Sequence, residues 1–144
     1  MSVHQLILIL GDQLDLQISS LQGADPARDR ILMVEAEEEG RYVPHHLQKI
    51  LFILSAMRHF AEELRQQGFV VDYRRLDEAD NSGSLDGELA RARQRWQPQA
   101  IRLTEPGEWR LLERFRQRQA DWPELQLLED QRFFCSAERF RRWA

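Results

Sequence analysis

Four polar clusters carry the residue types from which a site can be built, and each follows a short apolar run. Gly11-Asp12-Gln13-Leu14 follows Leu6–Leu10. Glu35, Glu37, Glu38 and Glu39 follow Ile31–Val34 and lead through Gly40-Arg41-Tyr42-Val43 to His45, His46 and Lys49. Thr104-Glu105-Pro106-Gly107-Glu108 follows Ala100–Leu103, and Glu129-Asp130-Gln131-Arg132 follows Glu124–Leu128. Carboxylates accept hydrogen bonds and a lysine only donates, so this mixture suits the orientation of a polar ligand. It does not spell a nucleophile, base and orienting group, and the lone cysteine, Cys135, has no histidine near it in sequence. Gly11-Asp12 lacks the further glycines of a phosphate-cradling turn, because Gln13 and Asp15 stand where they would be needed. Asp12 suits a helix cap as well as a ligand.

Within the acidic stretch, Glu35, Glu37 and Glu39 share a parity and would face one side of an extended segment. Glu35 comes directly after three apolar residues and is expected to point inward. Glu37 and Glu38 read as solvated. A carboxylate cluster can bind a divalent cation, but no fixed ligand spacing supports a metal here, and the histidines lack a third zinc ligand. His45 and Lys49 lie one helical turn apart, where positive groups oppose the helix dipole. They either hold a polar ligand group or are solvated, with Lys49 reaching back to Glu39 or Glu35.

The elements that must position these clusters alternate in type. Apolar runs at Gln5–Leu10, Ile31–Val34, Phe69–Arg74, Ala100–Leu103 and Glu124–Leu128 read as strands buried on both faces. A short helix is expected over Asp15–Leu21. A long one starts at Pro44 and runs to Gln67, with Leu47, Ile50, Leu54, Met57, Ala61 and Leu64 on one face and Gly68 as its stop. Ser84 caps a helix to Trp96, another carries Trp109, Leu112 and Phe115, and Ser136 caps a last one with Phe140 and Trp143. The alternation implies an α/β fold: a Rossmann-like five-stranded parallel sheet, order 3-2-1-4-5, with helices on both faces. Ligands bind such sheets outside the carboxyl ends of the strands, where all four polar clusters fall.

Composition bounds the rest. The 144 residues suit one domain spanning 1–144, and 42% hydrophobic with 31% charged residues reads as soluble and globular. No apolar run reaches the length of a membrane helix and no signal-peptide pattern opens the chain, so a cytoplasmic location is expected. One cysteine excludes an internal disulfide and any multi-cysteine metal site. A net charge of −4 argues against DNA binding by this domain alone. The chain stops just after an amphipathic helix, as a domain cut from a longer protein would.

Several strings resemble a known family. They are Leu8-Ile9-Leu10-Gly11-Asp12-Gln13-Leu14, Glu39 with Tyr42-Val43, His45-His46, Lys49-Ile50, Ser55 through Leu64 (SAMRHFAEEL), Thr104 through Arg110 (TEPGEWR), and Asp130 with Arg132-Phe133. Together they are similar to the N-terminal domain of photolyase-related proteins, nearest to the bacterial iron–sulfur photolyases and cryptochromes, which include (6-4) photolyases. The resemblance implies an antenna domain that precedes a helical domain holding FAD, a four-cysteine iron–sulfur cluster and the DNA lesion site. Related members hold 6,7-dimethyl-8-ribityllumazine as the antenna chromophore. Carried over by motif, its contacts here would be Gly11, Asp12, Gln13, Leu14, Glu39, Tyr42 and Lys49; Glu35 and Glu105 are added from position alone. Leu47-Gln48 stand where members often carry more basic residues. The implied partners are the FAD domain of the parent chain and a small-molecule chromophore, with no catalysis by this domain alone. Two other readings stand beside this one: a structural docking domain with an empty crevice, and a small-molecule enzyme using Glu39 and Lys49 as acid and base.

Overall fold

The computed structural model describes residues 3–144. Five strands form one parallel sheet in the order β3-β2-β1-β4-β5: β1 (Gln5–Leu8), β2 (Arg30–Val34), β3 (Val70–Arg74), β4 (Ala100–Thr104) and β5 (Leu125–Leu128). The alternation expected from sequence is therefore the observed architecture. β1 lies at the centre, with Ile7 opposite Ile31 of β2 on one side and Arg102 of β4 on the other. Strand order reverses at β1, which makes the β1/β4 junction the switch point of the sheet.

Period-two alternation divides β1 between two cores. Leu6, Leu8 and Leu10 pack with α3 (Leu85–Trp96) and α4 (Trp109–Asp121) through Leu89, Leu111 and Phe115. Ile7 and Ile9 pack on the other face with α2 (Leu47–Gln66) through Met57, Phe60 and Leu64. A two-faced sheet explains the unbroken apolar runs of β1 and β2, whose residues are covered on both faces.

Three local differences from the sequence reading have physical causes. The long helix begins at Leu47 and not Pro44, since His46 is its N-cap and its Nδ1 accepts from Gln48 N at 3.1 Å. The stretch read as a polar loop folds as a short helix, α1 (Glu37–Tyr42), with three glutamates in its first turn where the helix dipole favours them. Only a single 3-10 turn, Ser19–Leu21, forms in the segment expected to be helical. Ser19 and Ser20 there bond to the Thr104 hydroxyl, so the backbone is held by β4 and not by a helix. Ser84 and Ser136 cap α3 and α5 (Ala137–Trp143) as expected, accepting from Gly87 N and Arg139 N. Gly68, at φ +92°, closes α2.

α2 is not buried along its length. Its buried residues are Met57, Phe60, Ala61 and Leu64, all in the second half. Leu51 and Phe52 are 59% and 74% exposed, so the first half overhangs the sheet. Met57→Asp places an unpaired charge in the α2-side core, at a cost of several kcal/mol, and is expected to abolish the cooperative unfolding transition. Phe52→Asp, on the overhang, should stay within about 0.5 kcal/mol of the parent. Thermal melts of both variants check this; equal losses would mean that the helix face is placed wrongly.

Candidate functional site

Beyond the carboxyl ends of β1 and β2 lies a cleft of about 540 Å³. Ile50, Ile53, Leu54 and Met57 from the underside of α2 form one wall. Leu85 of α3 and Leu111 of α4 form the other, with Leu10 and Val34 between them. Gly11 lets the α2 wall approach the β1 turn. A Cβ there would lie 3.1 Å from the Met57 sulfur and 3.3 Å from Ile53 Cγ2, tighter than ordinary contact. Pockets that take a flat heterocycle are built this way, largely apolar with a few polar groups at the rim.

The β1 turn is fixed from below. Gln13 is fully buried; its Oε1 accepts from Leu10 N at 3.3 Å and its Nε2 donates to the Thr104 carbonyl at 2.9 Å. It ties the turn to the end of β4 and leaves Gly11 and Asp12 facing the cleft, without bordering it itself. Leu14 packs against the α2-side core and does not line the cleft.

Glu35 points inward as the sequence suggested, but it arrives with its partners. Arg58 donates to both of its oxygens, at 2.7 and 3.0 Å, the Tyr73 hydroxyl donates at 2.7 Å, and Leu76 N donates at 2.8 Å. Burial alone would push this carboxyl up; the bonds from Arg58, Tyr73 and Leu76 outweigh it and hold the carboxyl below the usual glutamate range. Burial raises the Tyr73 phenol, and the same carboxylate adds to the rise. Arg58 is thus more than a solvated side chain on the outer flank of α2. Its side chain is 44% exposed, yet its head neutralises a carboxylate with none of its surface in water.

Glu39 sits at the rim of the cleft on α1, where Arg110 of α4 donates to it at 2.9 and 3.1 Å and to Glu108 at 2.8 Å. Burial pushes Glu39 above its ordinary value; Arg110 pulls it back, and the nearby charges of Glu108 and Glu38 add to the rise. Tyr42 is 59% exposed and lies under the Arg110 guanidinium, 4.1 Å from ring centroid to charge, away from the cleft lining. Lys49 is exposed, its Nζ 3.4 Å from His45 Nδ1, and lies outside the cleft. Glu105 also lies outside it; its backbone N–H extends the sheet by donating to Leu128 O at 2.8 Å. Among the nine residues singled out from sequence, Gly11, Asp12, Glu35 and Glu39 therefore meet at the cleft. Arg58 and Arg110 were missed because their partners are distant in the chain, and Val34, Leu85 and Leu111 because apolar residues read as core. Among the described residues no group of three or more His, Cys, Asp or Glu side chains is placed to hold a metal ion, and no helix is long and apolar enough to cross a membrane.

Fold and cleft together define a doubly wound α/β domain with a largely apolar crevice beside its switch point. The chain belongs to the deoxyribodipyrimidine photo-lyase-related protein family, whose sequence pattern matches residues 7–144. It is 48% identical over 145 residues to a (6-4) photolyase of Agrobacterium fabrum (strain C58 / ATCC 33970), a match covering 99% of this chain and 28% of that protein. The chain thus spans little more than a quarter of its relative's length.

Arg58→Ala strands a buried carboxylate. The loss should be about 2–3 kcal/mol, less than the ~3–5 kcal/mol of a fully buried pair because water reaches the arginine. The pH dependence has a defined sign. A depressed folded-state pKa gives stability that is present above the unfolded value of about 4.3 and lost as pH falls through the folded one. Without Arg58 the buried carboxyl shifts up instead, and acid relieves it. Melting temperatures of parent and variant should therefore converge below about pH 4; a gap independent of pH would contradict this account of Glu35.

Proposed function

We propose that this domain is the antenna portion of a photolyase-related protein, its cleft holding a lumazine-type chromophore such as 6,7-dimethyl-8-ribityllumazine. The observation that carries the reading is the apolar cleft at the sheet's switch point, in a chain that belongs to this family. The residues present fit such a group. Met57, Ile53 and Leu111 offer apolar surface to a ring system, and Asp12 and Glu39 offer acceptors to ring N–H and ribityl hydroxyl groups. When bound, the pigment absorbs light and passes the excitation to an FAD in a separate helical domain of the parent chain, which repairs DNA or signals.

The chain's own residues would do no bond-making. They orient the ring, exclude water from it and fix its distance from the partner domain. Cys135, the single cysteine of the sequence, cannot supply the four ligands of an iron–sulfur cluster. The acid–base reading of Glu39 and Lys49 gains no support, because Arg110 engages the one and the other lies outside the cleft. Docking on an FAD domain draws on a specific observation, the exposed apolar side chains of the α2 overhang and of α5, where Trp143 is 82% exposed. It complements the pigment reading. With a net charge of −4, negligible duplex-DNA binding is expected of this domain alone.

Titrating ribityllumazine fluorescence tests the reading. Glu39→Ala should weaken binding roughly ten- to hundredfold, the ~1.5–3 kcal/mol of a charge-assisted hydrogen bond. Lys49→Ala should leave it near the parent value. Equal affinities for parent and both variants would remove Glu39 from the site, and no binding by the parent would overturn the pigment assignment.

A further inference from the structure

α1 borders the cleft without belonging to either core. It contributes Glu37, Glu39, Gly40 and Arg41 to the lining, yet none of its residues is buried. Residues 40–49, which carry the chain from α1 into α2, are exposed without a break. Among the described residues a single backbone bond, from Glu38 N to Gly83 O at 3.1 Å, joins α1 to another segment. The other ties are made by side chains. Glu38 accepts from Arg114 at 2.9 Å and from Leu85 N at 3.2 Å, Glu39 accepts from Arg110, and Tyr42 rests under the Arg110 guanidinium. The four side chains of these two ion pairs keep between 24% and 32% of their surface in water. Such pairs hold weakly and are screened by salt.

The segments on either side of α1 are fixed. Glu35, just before it, is held by Arg58, Tyr73 and the Leu76 N–H. His46, just after it, caps α2. An extended residue stands at each end of α1: Ala36 at φ −92°, ψ 121° and Val43 at φ −132°, ψ 134°. α1 therefore forms a strap between the two walls. Its glutamates fasten it to α3 and α4, and its far end runs into α2. A short helix between two extended residues, tethered by ion pairs and free of core contacts, can swing while both cores stay packed.

We propose that α1 is a gate: it swings away from α3 and α4 to admit the ligand and swings back behind it, with Glu38–Arg114 and Glu39–Arg110 as its latch. The proposal rests on the pigment reading, and its test separates the two. A Cβ on Gly83 would lie 3.6 Å from the Cβ of Glu37, a separation that a disulfide spans. Glu37→Cys with Gly83→Cys, in a Cys135→Ser background, therefore gives a gate that oxidation locks and reduction frees. Both forms carry the same strain at position 83, where φ is +78°, so the comparison stays within one protein. In stopped-flow measurements of ribityllumazine fluorescence, the oxidised form should take up and release the pigment about tenfold or more slowly than the reduced form. The affinity should change much less, because a lock slows both directions. Arg114→Gln loosens the latch from outside the cleft lining. It should speed release about two- to fivefold at low ionic strength, a difference that added salt removes. Equal rates in the oxidised and reduced forms, or release from Arg114→Gln at the parent rate, would overturn the gate and leave the pigment reading standing. No binding of ribityllumazine by the parent would overturn both.

Discussion

A carboxylate buried at the end of a central strand has to be neutralised, and the geometry of this domain follows from how Glu35 meets that demand. Taking an ionised carboxyl out of water costs several kcal/mol unless donors surround it. Glu35 collects two from Arg58, one from Tyr73 and one from the backbone of Leu76. Those donors come from α2, from β3 and from the loop after β3, so a single charge joins three segments. Arg58 can serve only if α2 is turned so that its neighbour Met57 faces the sheet, and that rotation points Ile53 and Leu54 into the cleft.

The two walls of the cleft are consequently held by different forces. The wall formed by α3 and α4 belongs to a packed core, with Leu89 and Phe115 fully buried. The α2 wall projects past the last buried turn and is anchored at Met57 and Arg58. α1 contributes no buried residue and is held to α4 through Glu38–Arg114 and Glu39–Arg110. Such a site combines a rigid floor with a charge-tethered rim, which suits the uptake of a ligand without chemistry.

Much of the fold was legible in the sequence because its signals are local. Unbroken apolar runs marked the parallel strands, and Ser84, Ser136 and Gly68 marked helix ends by chemistry that acts within one turn. The site was legible only at Gly11, Asp12, Glu35 and Glu39, which follow strands directly. The roles of Arg58 and Arg110 were hidden because each reaches a carboxylate far away in the chain, 23 and 71 residues distant. Lys49 looked promising through its helical spacing from His45, a spacing that holds equally well on the solvent side of an overhanging helix. α1 was missed because its acidic first turn reads equally well as a solvated loop and its tethers, Arg110 and Arg114, lie far along the chain.

The central claim, that α2 and α4 enclose a pigment between them, has a direct measurement. Intermolecular nuclear Overhauser effects can be recorded between unlabelled ribityllumazine and a methyl-labelled sample of this chain. The account predicts contacts from the lumazine ring methyls to Met57, Ile53 and Leu111, and none to Leu51. Contacts to Leu51, with Met57 and Leu111 silent, would place the ligand on the outer flank of α2 and contradict the account.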